Sequence, residues 1–278
     1  MRKPYHKWDE QSHWRLMLPP GRPSALHLNF FRSHIAKLPK SASIAVLGST
    51  PELRDLCVEN GHRRVHVLDR SVRFHEVVNS LLIYKNPKET VHFGDWLELL
   101  HAMPRTFDAI LSDLTLGSIE YERRNAFFTA LEDALRTGGI FLDKVLTHSA
   151  RLLPLAKLDA KYRLTPFNLS TSNDFANEYF FLSELVSSGI VDIARSRAFL
   201  SRRYLQEPRL QRLLEEAITL VTERGIWYYG RPWKIVRLSY GGQLRLVERH
   251  NELRPSVFAG HLRLYAFVKS ERNAGVCL

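Results

Sequence analysis

The sequence predicts an α/β fold, a mostly parallel sheet with helices on both faces, interrupted late in the chain by a helical insert. Three observations carry this. From Ser43 to Leu146, short apolar runs that end in turn residues alternate with amphipathic stretches. After about His148 the alternation stops, and helical patterns fill the chain to about Gly225. Strand character then returns in "WKIVRLSY", "QLRLVER" and "HLRLYAFVKS", with Gly241-Gly242 as a hairpin signal between the first two. Four segments follow: an N-terminal helical segment over residues 1–40, expected to act as a lid; a ligand-binding core over 41–148; a helical insert or cap over 149–225; and closing strands of the core sheet over 226–278.

Each element has a local reason. "LPPGRPSA" is a turn-rich break. "ALHLNFFRSHIAKL" reads as a helix, with Leu26, Phe30, Phe31 and Ile35 near helical spacing. "SIAVLG" is a buried strand, and "TPELRDLCVENG" a helix with Ser49 or Thr50 at the N-cap, Pro51 at its first position and Gly61 closing it. "RVHVLDR" is a second strand, "SVRFHEVVNSLLIYK" a helix, "TVHF" a third strand and "WLELLHAM" a helix. "FDAILSD" is a fourth strand. "ERRNAFFTALEDALRTGG" is a helix stopped by Gly-Gly, and "IFLDKVL" a fifth strand. In the insert, "NDFANEYFFLSELVSSG" reads as a helix capped by Asn173 or Asp174 and stopped by Gly189. "EPRLQRLLEEAITLVTERG" is a helix started by Pro208, with Leu210, Leu213, Leu214, Ala217, Ile218 and Val221 on one face.

Composition narrows the class. The chain has 278 residues, 45% of them hydrophobic, enough for one large core or a core with an added cap. Apolar runs are broken by charge, so no membrane span is expected. The N-terminus lacks the apolar centre of a secretory signal. Two cysteines, Cys57 and Cys277, make neither a disulfide framework nor a zinc site, and a reducing cytoplasm is expected. The net charge of +11 fits a solvated basic surface or an acidic partner such as RNA. No basic run with interleaved aromatics is present.

The strand ends carry the chemistry. In parallel sheets ligands bind at the carboxyl ends of the strands, near the switch point of strand order. Gly48 sits there, between a buried strand and a helix N-terminus whose free N–H groups favour an anion. The plain alternative is an ordinary strand-to-helix turn. Asp69 follows at the next strand end, where an acid accepts both ribose hydroxyls of a nucleoside or caps a helix. Gly94-Asp95-Trp96 follows the third strand, where a carboxylate beside an aromatic suits an adenine. Asp113 ends the fourth strand, beside the expected reactive centre. A dinucleotide turn normally shows three glycines, whereas this one has Ser49, Thr50 and Pro51, which suit a smaller anion such as an amino-acid carboxylate.

In order, "VLGSTPELRDL", "VHVLDRS", "HFGDWLEL", "FDAILSDLTLG" and "LRTGGIFLDKV" resemble the class I S-adenosylmethionine-dependent methyltransferases, especially bacterial members whose first loop reads Gly-x-Thr-Pro-Glu. The resemblance covers about Ala42 to Lys144 and the closing strands. It implies a Rossmann-like seven-stranded sheet, S-adenosylmethionine as methyl donor and S-adenosylhomocysteine as product. It places Gly48, Ser49 and Thr50 on the methionyl portion and Asp69 on the ribose. Asp95 and Trp96 go to the adenine, with Arg70 and Ser71 bordering it. Asp113 and Leu114 lie near the methionyl amino group or the transferred methyl. The loop departs from the commoner Gly-x-Gly-x-Gly. The Asn/Asp-Pro-Pro-Tyr motif of amino-methylating nucleic-acid enzymes is absent, because "LTLG" follows Asp113.

The expected function is methyl transfer to a small-molecule acceptor under the helical cap. Alternatives are an RNA-binding or RNA-modifying protein using the basic surface, and a nucleotide-dependent oxidoreductase. Methyl transfer from a sulfonium needs alignment and desolvation and only sometimes a base. Base candidates are Asp113, His148 and, in the insert, Glu178 or Tyr179. Each has a plainer alternative: a loop cap for His148, a helix-surface charge for Glu178, core packing for Tyr179, Phe180 and Phe181. Tyr228, in "WYYGRPW", either lines the acceptor pocket or packs insert against sheet. No metal site and no membrane partner are expected. Oligomeric state and the methylated atom stay open.

Overall fold

A computed structural model describes residues 14–15, 21–147, 152–221, 226–229, 235, 242–251, 258 and 260–270. A seven-stranded sheet has the order β3-β2-β1-β4-β5-β9-β8. Its strands are β1 Ser43–Leu47, β2 Arg64–Asp69, β3 Thr90–Phe93, β4 Phe107–Asp113, β5 Leu135–Leu146, β8 Leu244–Asn251 and β9 Leu262–Lys269. The first five are parallel; β9 runs antiparallel to β5, and β8 antiparallel to β9. Chain order reverses at β1, which lies between β2 and β4, so the crevice above β1 and β4 is the switch point.

All five residues of β1, "SIAVL", are buried, as expected of a central parallel strand covered on both faces. On one face, α1 (Ala25–Ile35) and α2 (Pro51–Glu59) pack Phe30, Phe31, Ile35, Leu53 and Leu56 on Ile44, Val46, Leu111 and Leu264. On the other, α4 (Trp96–His101) and α5 (Arg124–Ala134) pack Leu100, Phe127 and Leu131 on Ala45, Leu47, Ile110 and Phe141. The helix α3 (Val72–Asn79) links β2 to the edge.

The insert has its own core. It contains α6 (Leu155–Leu164), α7 (Leu169–Ala176), a π-helical turn (Asn177–Leu182), α8 (Ile193–Arg203) and α9 (Pro208–Leu220). Tyr162, Phe175, Tyr179, Leu200, Leu213 and Ala217 meet inside it, and Leu146 and Leu262 join it from the sheet. A two-stranded ribbon, β6 (Ile190–Asp192) against β7 (Ile226–Tyr228), completes it. No helix among the described residues is long and apolar enough to cross a membrane.

Four boundaries differ from the sequence reading. The helix α5 ends at Ala134, and "LRTGG" opens β5, because Leu135 pairs with Phe107 before the ladder shifts register and resumes at Ala109–Ile140. The predicted insert helix starts earlier: Asn168 caps α7 by accepting the Thr171 N–H, and the helix ends through the π turn at Leu182, short of Gly189. The β7 strand pairs with β6 and stays out of the main sheet. Ile235, the one described residue of "WKIVRLSY", is helical and buried in the main core. Gly241 of the expected Gly241-Gly242 hairpin, Gly225, Cys277 and residues 1–13 and 16–20 of the proposed N-terminal lid lie outside the described residues. In the described part of that segment, α1 packs on the sheet and Trp14 packs on Phe74 and Val78 of α3.

Candidate functional site

Gly48, Asp69, Asp95 with Trp96, and Asp113 lie at or just past the carboxyl ends of β1, β2, β3 and β4, beside the point where strand order reverses. Gly48 has φ +84°, a conformation that favours glycine, and there is open space where a Cβ would project. Its N–H bonds the Leu68 carbonyl, 2.8 Å. Thr50 is the N-cap of α2 without a side-chain bond, and Pro51 takes the first helical position. The early N–H groups of α2 therefore face the crevice unpaired by a cap.

Asp69 ends β2, and its carboxylate is already oriented. Ser49 Oγ donates to Asp69 Oδ2 at 2.6 Å, and the Ser71 N–H donates to Oδ1 at 2.9 Å. Ser71 also caps α3 by accepting the Phe74 N–H. Arg70 is exposed beside it. His75, on the first turns of α3, lies 3.1 Å from Ser49 Oγ through Nδ1. Past β3, Asp95 caps α4 through the Leu97 N–H and pairs with Arg123 at 3.1 Å. The Trp96 indole donates to the Leu68 carbonyl at 2.7 Å, which ties the third loop to β2.

The end of β4 differs from the rest. The Asp113 side chain is buried, and Lys144 of β5, its register partner, reaches it at 2.5 Å. Burial pushes the Asp113 carboxyl up, against the pull of Lys144 and of the buried His27 of α1. Leu114 follows at φ +64°, a strained conformation for a branched residue. It turns the chain into the tight turn Thr115–Ser118 and packs on the insert core. On the opposite face, Asp143 stands in register between Ser112 and Tyr265, and burial raises it to about 8.

The insert is anchored at this same strand end. The Tyr121 hydroxyl lies within hydrogen-bond distance of the carbonyls of Gly189 (3.0 Å) and Tyr229 (2.9 Å), sharing its one proton between them, and Trp227 lies against Gly117. The buried Arg124 guanidinium reaches the carbonyls of Leu116, Ile119 and Tyr228. Tyr228 packs edge-on against Tyr121.

Two expected acceptor residues are not in the crevice. Glu178 is buried inside the insert, where it accepts Lys161 Nζ (2.7 and 2.8 Å) and the Tyr162 hydroxyl (2.8 Å). Tyr179 is fully buried and donates to Asp159 at 2.7 Å. Both satisfy the insert core, so the plainer reading of Tyr179 holds and that of Glu178, a surface charge, does not. His148 lies outside the described residues. Sequence reading missed Lys144, whose signal was a lysine inside the apolar run "IFLDKVL", and His75, which carried none. Among the described residues no three of His, Cys, Asp and Glu are grouped to hold a metal ion.

Neither a family model nor a curated protein sequence matches the chain. Solved structures do. The CcbJ methyltransferase from Streptomyces caelestis superposes with a TM-score of 0.58 at 14% identity, over 95% of this chain and 98% of that one. The fold is the Rossmann-like methyltransferase fold. The N-methyltransferase NodS from Bradyrhizobium japonicum, in complex with S-adenosylhomocysteine, shares it with a TM-score of 0.50 at 13% identity, over 95% and 99% of the two chains. A Rhodobacter sphaeroides chain provisionally described as a Zn-dependent alcohol dehydrogenase also superposes, with a TM-score of 0.59 at 16% identity, over 95% and 96%. At such identities a shared fold is what these comparisons show.

Proposed function

We propose that the chain is an S-adenosylmethionine-dependent methyltransferase that acts on a small-molecule acceptor beneath the insert. The observation that carries this is the open Gly48 turn linked through Ser49 to the Asp69 carboxylate at the switch point. The residues fit the cofactor. The Gly48 turn and the start of α2 would take the methionyl carboxylate. Asp69 retains acceptor capacity for the ribose hydroxyls, since each of its oxygens has a single protein donor among the described contacts. Asp95 and Trp96, with Arg70 and Ser71 at the border, would frame the adenine. When bound, the sulfonium supplies an activated methyl.

What the chain's own residues do is hold and enclose. Tyr121 and Arg124, just after β4, hold Gly189 and Tyr228, which supports reading the insert as a roof over the acceptor side. Tyr228 belongs to that anchorage and borders the acceptor space. Asp113 is a weaker base candidate than the sequence suggests, because its carboxylate is committed to Lys144. Its role is to fix the end of β4. Proximity and desolvation then supply the rate, without a dedicated base.

The test is calorimetric titration with S-adenosylmethionine, beside Asp69→Ala and with NAD as control. Saturable binding that the variant loses supports the reading. Binding of NAD alone would revive the oxidoreductase alternative. A second reading keeps the cofactor and changes the acceptor. The exposed face of α8 carries Arg195, Arg197 and Arg202, which suits an RNA backbone. Steep salt-dependent retention of RNA would favour it, and none at low salt would remove it.

A further inference from the structure

We propose that His75 is a positioning residue for ribose binding: through Nδ1–H it holds the Ser49 hydroxyl turned onto Asp69. This rests on the cofactor reading above. Ser49 Oγ lies 2.6 Å from Asp69 Oδ2 and 3.1 Å from His75 Nδ1. A hydroxyl has one proton to give, and a carboxylate only accepts. The Ser49 proton therefore lies toward Asp69, and the ring nitrogen facing Ser49 is the donor. The neutral imidazole carries its proton on Nδ1.

This relay leaves Asp69 set for a vicinal diol. Ser49 occupies one site on Oδ2 and the Ser71 N–H one on Oδ1. One acceptor direction on each oxygen remains, and the two are spaced as the two oxygens of one carboxylate. Without His75, the Ser49 hydroxyl is free to rotate and Asp69 loses a fixed neighbour. The ring is itself held, edge-on to Phe93 at 5.7 Å between centroids. Arg54, Glu89, Asp69 and Glu76 are the charged groups that face it; burial, then Arg54, lower its affinity for a second proton against the pull of the three carboxylates. An imidazolium also carries Nδ1–H, so the relay holds in both protonation states.

Two measurements test this. Nitrogen NMR of the imidazoles in the ligand-free protein should show His75 with Nδ1 protonated; a proton on Nε2 in the neutral ring overturns the relay. Calorimetry then compares S-adenosylhomocysteine with its 2′-deoxyribose analogue. His75→Leu should weaken the first roughly tenfold and the analogue little. His75→Asn, whose amide N–H stands near the place of Nδ1–H, should restore most of the affinity. Equal weakening for both ligands, or no rescue by Asn, means packing alone and overturns the proposal. A His75→Leu variant as tight as the wild type does so too. A wild type that does not take S-adenosylhomocysteine overturns the cofactor reading itself, and the ribose role with it.

Discussion

Lys144 and Asp113 face each other across the β4–β5 ladder, ammonium to carboxylate at 2.5 Å, with side chains 0% and 2% exposed. An ion pair so buried adds little net stability, because both groups lose their hydration, but breaking it strands a charge. Lys144→Met should therefore cost on the order of 3–5 kcal/mol. Adding Asp113→Asn should recover much of that loss. Urea unfolding of the two single variants and the double variant measures the coupling. Additive losses would show that the pair is not coupled.

On the other face of β5, Asp143 gives stability a pH slope. Its folded carboxyl is raised to about 8, from 3.8, because burial disfavours the charged form. Below about pH 4 both the folded and the unfolded chain hold this proton. As pH rises, the unfolded chain releases it first, which favours unfolding. Stability should fall between about pH 4 and about pH 8, by at most ~1.4 kcal/mol per unit from this group. Asp143→Asn removes the slope. Thermal midpoints at about pH 5 and about pH 8 should converge in the variant, and an unchanged slope would assign it elsewhere.

Gly48 separates a backbone requirement from a binding one. Alanine at φ +84° is strained by about 1 kcal/mol. Beyond its chain neighbours, its methyl meets no described residue within 4 Å, so it projects into open space. Gly48→Ala should lower the melting midpoint modestly and weaken S-adenosylmethionine binding far more. Calorimetry beside thermal melting checks the two effects separately. Loss of stability with unchanged affinity would take this turn out of the binding site.

The residues that could be read from sequence share a property: their role is set by chain neighbours. Ile44 to Leu47 form one apolar run, Gly48 needs its backbone angle, and Pro51 takes the first position of the helix that follows. Asp69 and Asp95 are placed by the strands that end at them. The rest depends on register between distant strands. Lys144 meets Asp113 because β5 lies beside β4 with that pairing, and no local pattern encodes the offset. His75 reaches Ser49 from another element. In the insert, Asn168 and Asn173 are both competent caps; Asn168 accepts the Thr171 N–H, and Asn173 lies inside α7. Glu178 looks like a surface charge until α6 supplies Lys161 and Tyr162.

The insert itself yields the last prediction. Asp159 is buried and accepts three neighbours, the hydroxyls of Tyr179 (2.7 Å) and Tyr204 (2.6 Å) and the Arg203 guanidinium. Those donors hold its carboxyl below the ordinary value despite the opposing effect of burial. Tyr179→Phe removes one donor and leaves the ring packed on Phe175, 4.2 Å away between centroids. Asp159 keeps Tyr204 and Arg203, so the expected cost is about 1 kcal/mol, that of one ordinary hydrogen bond. The network lies in the insert core, away from the strand ends that hold Gly48 and Asp69. S-adenosylmethionine affinity should therefore match the wild type while the urea midpoint falls. If affinity fell instead, Tyr179 would belong to the ligand site after all, and the insert would reach the cofactor as well as the acceptor.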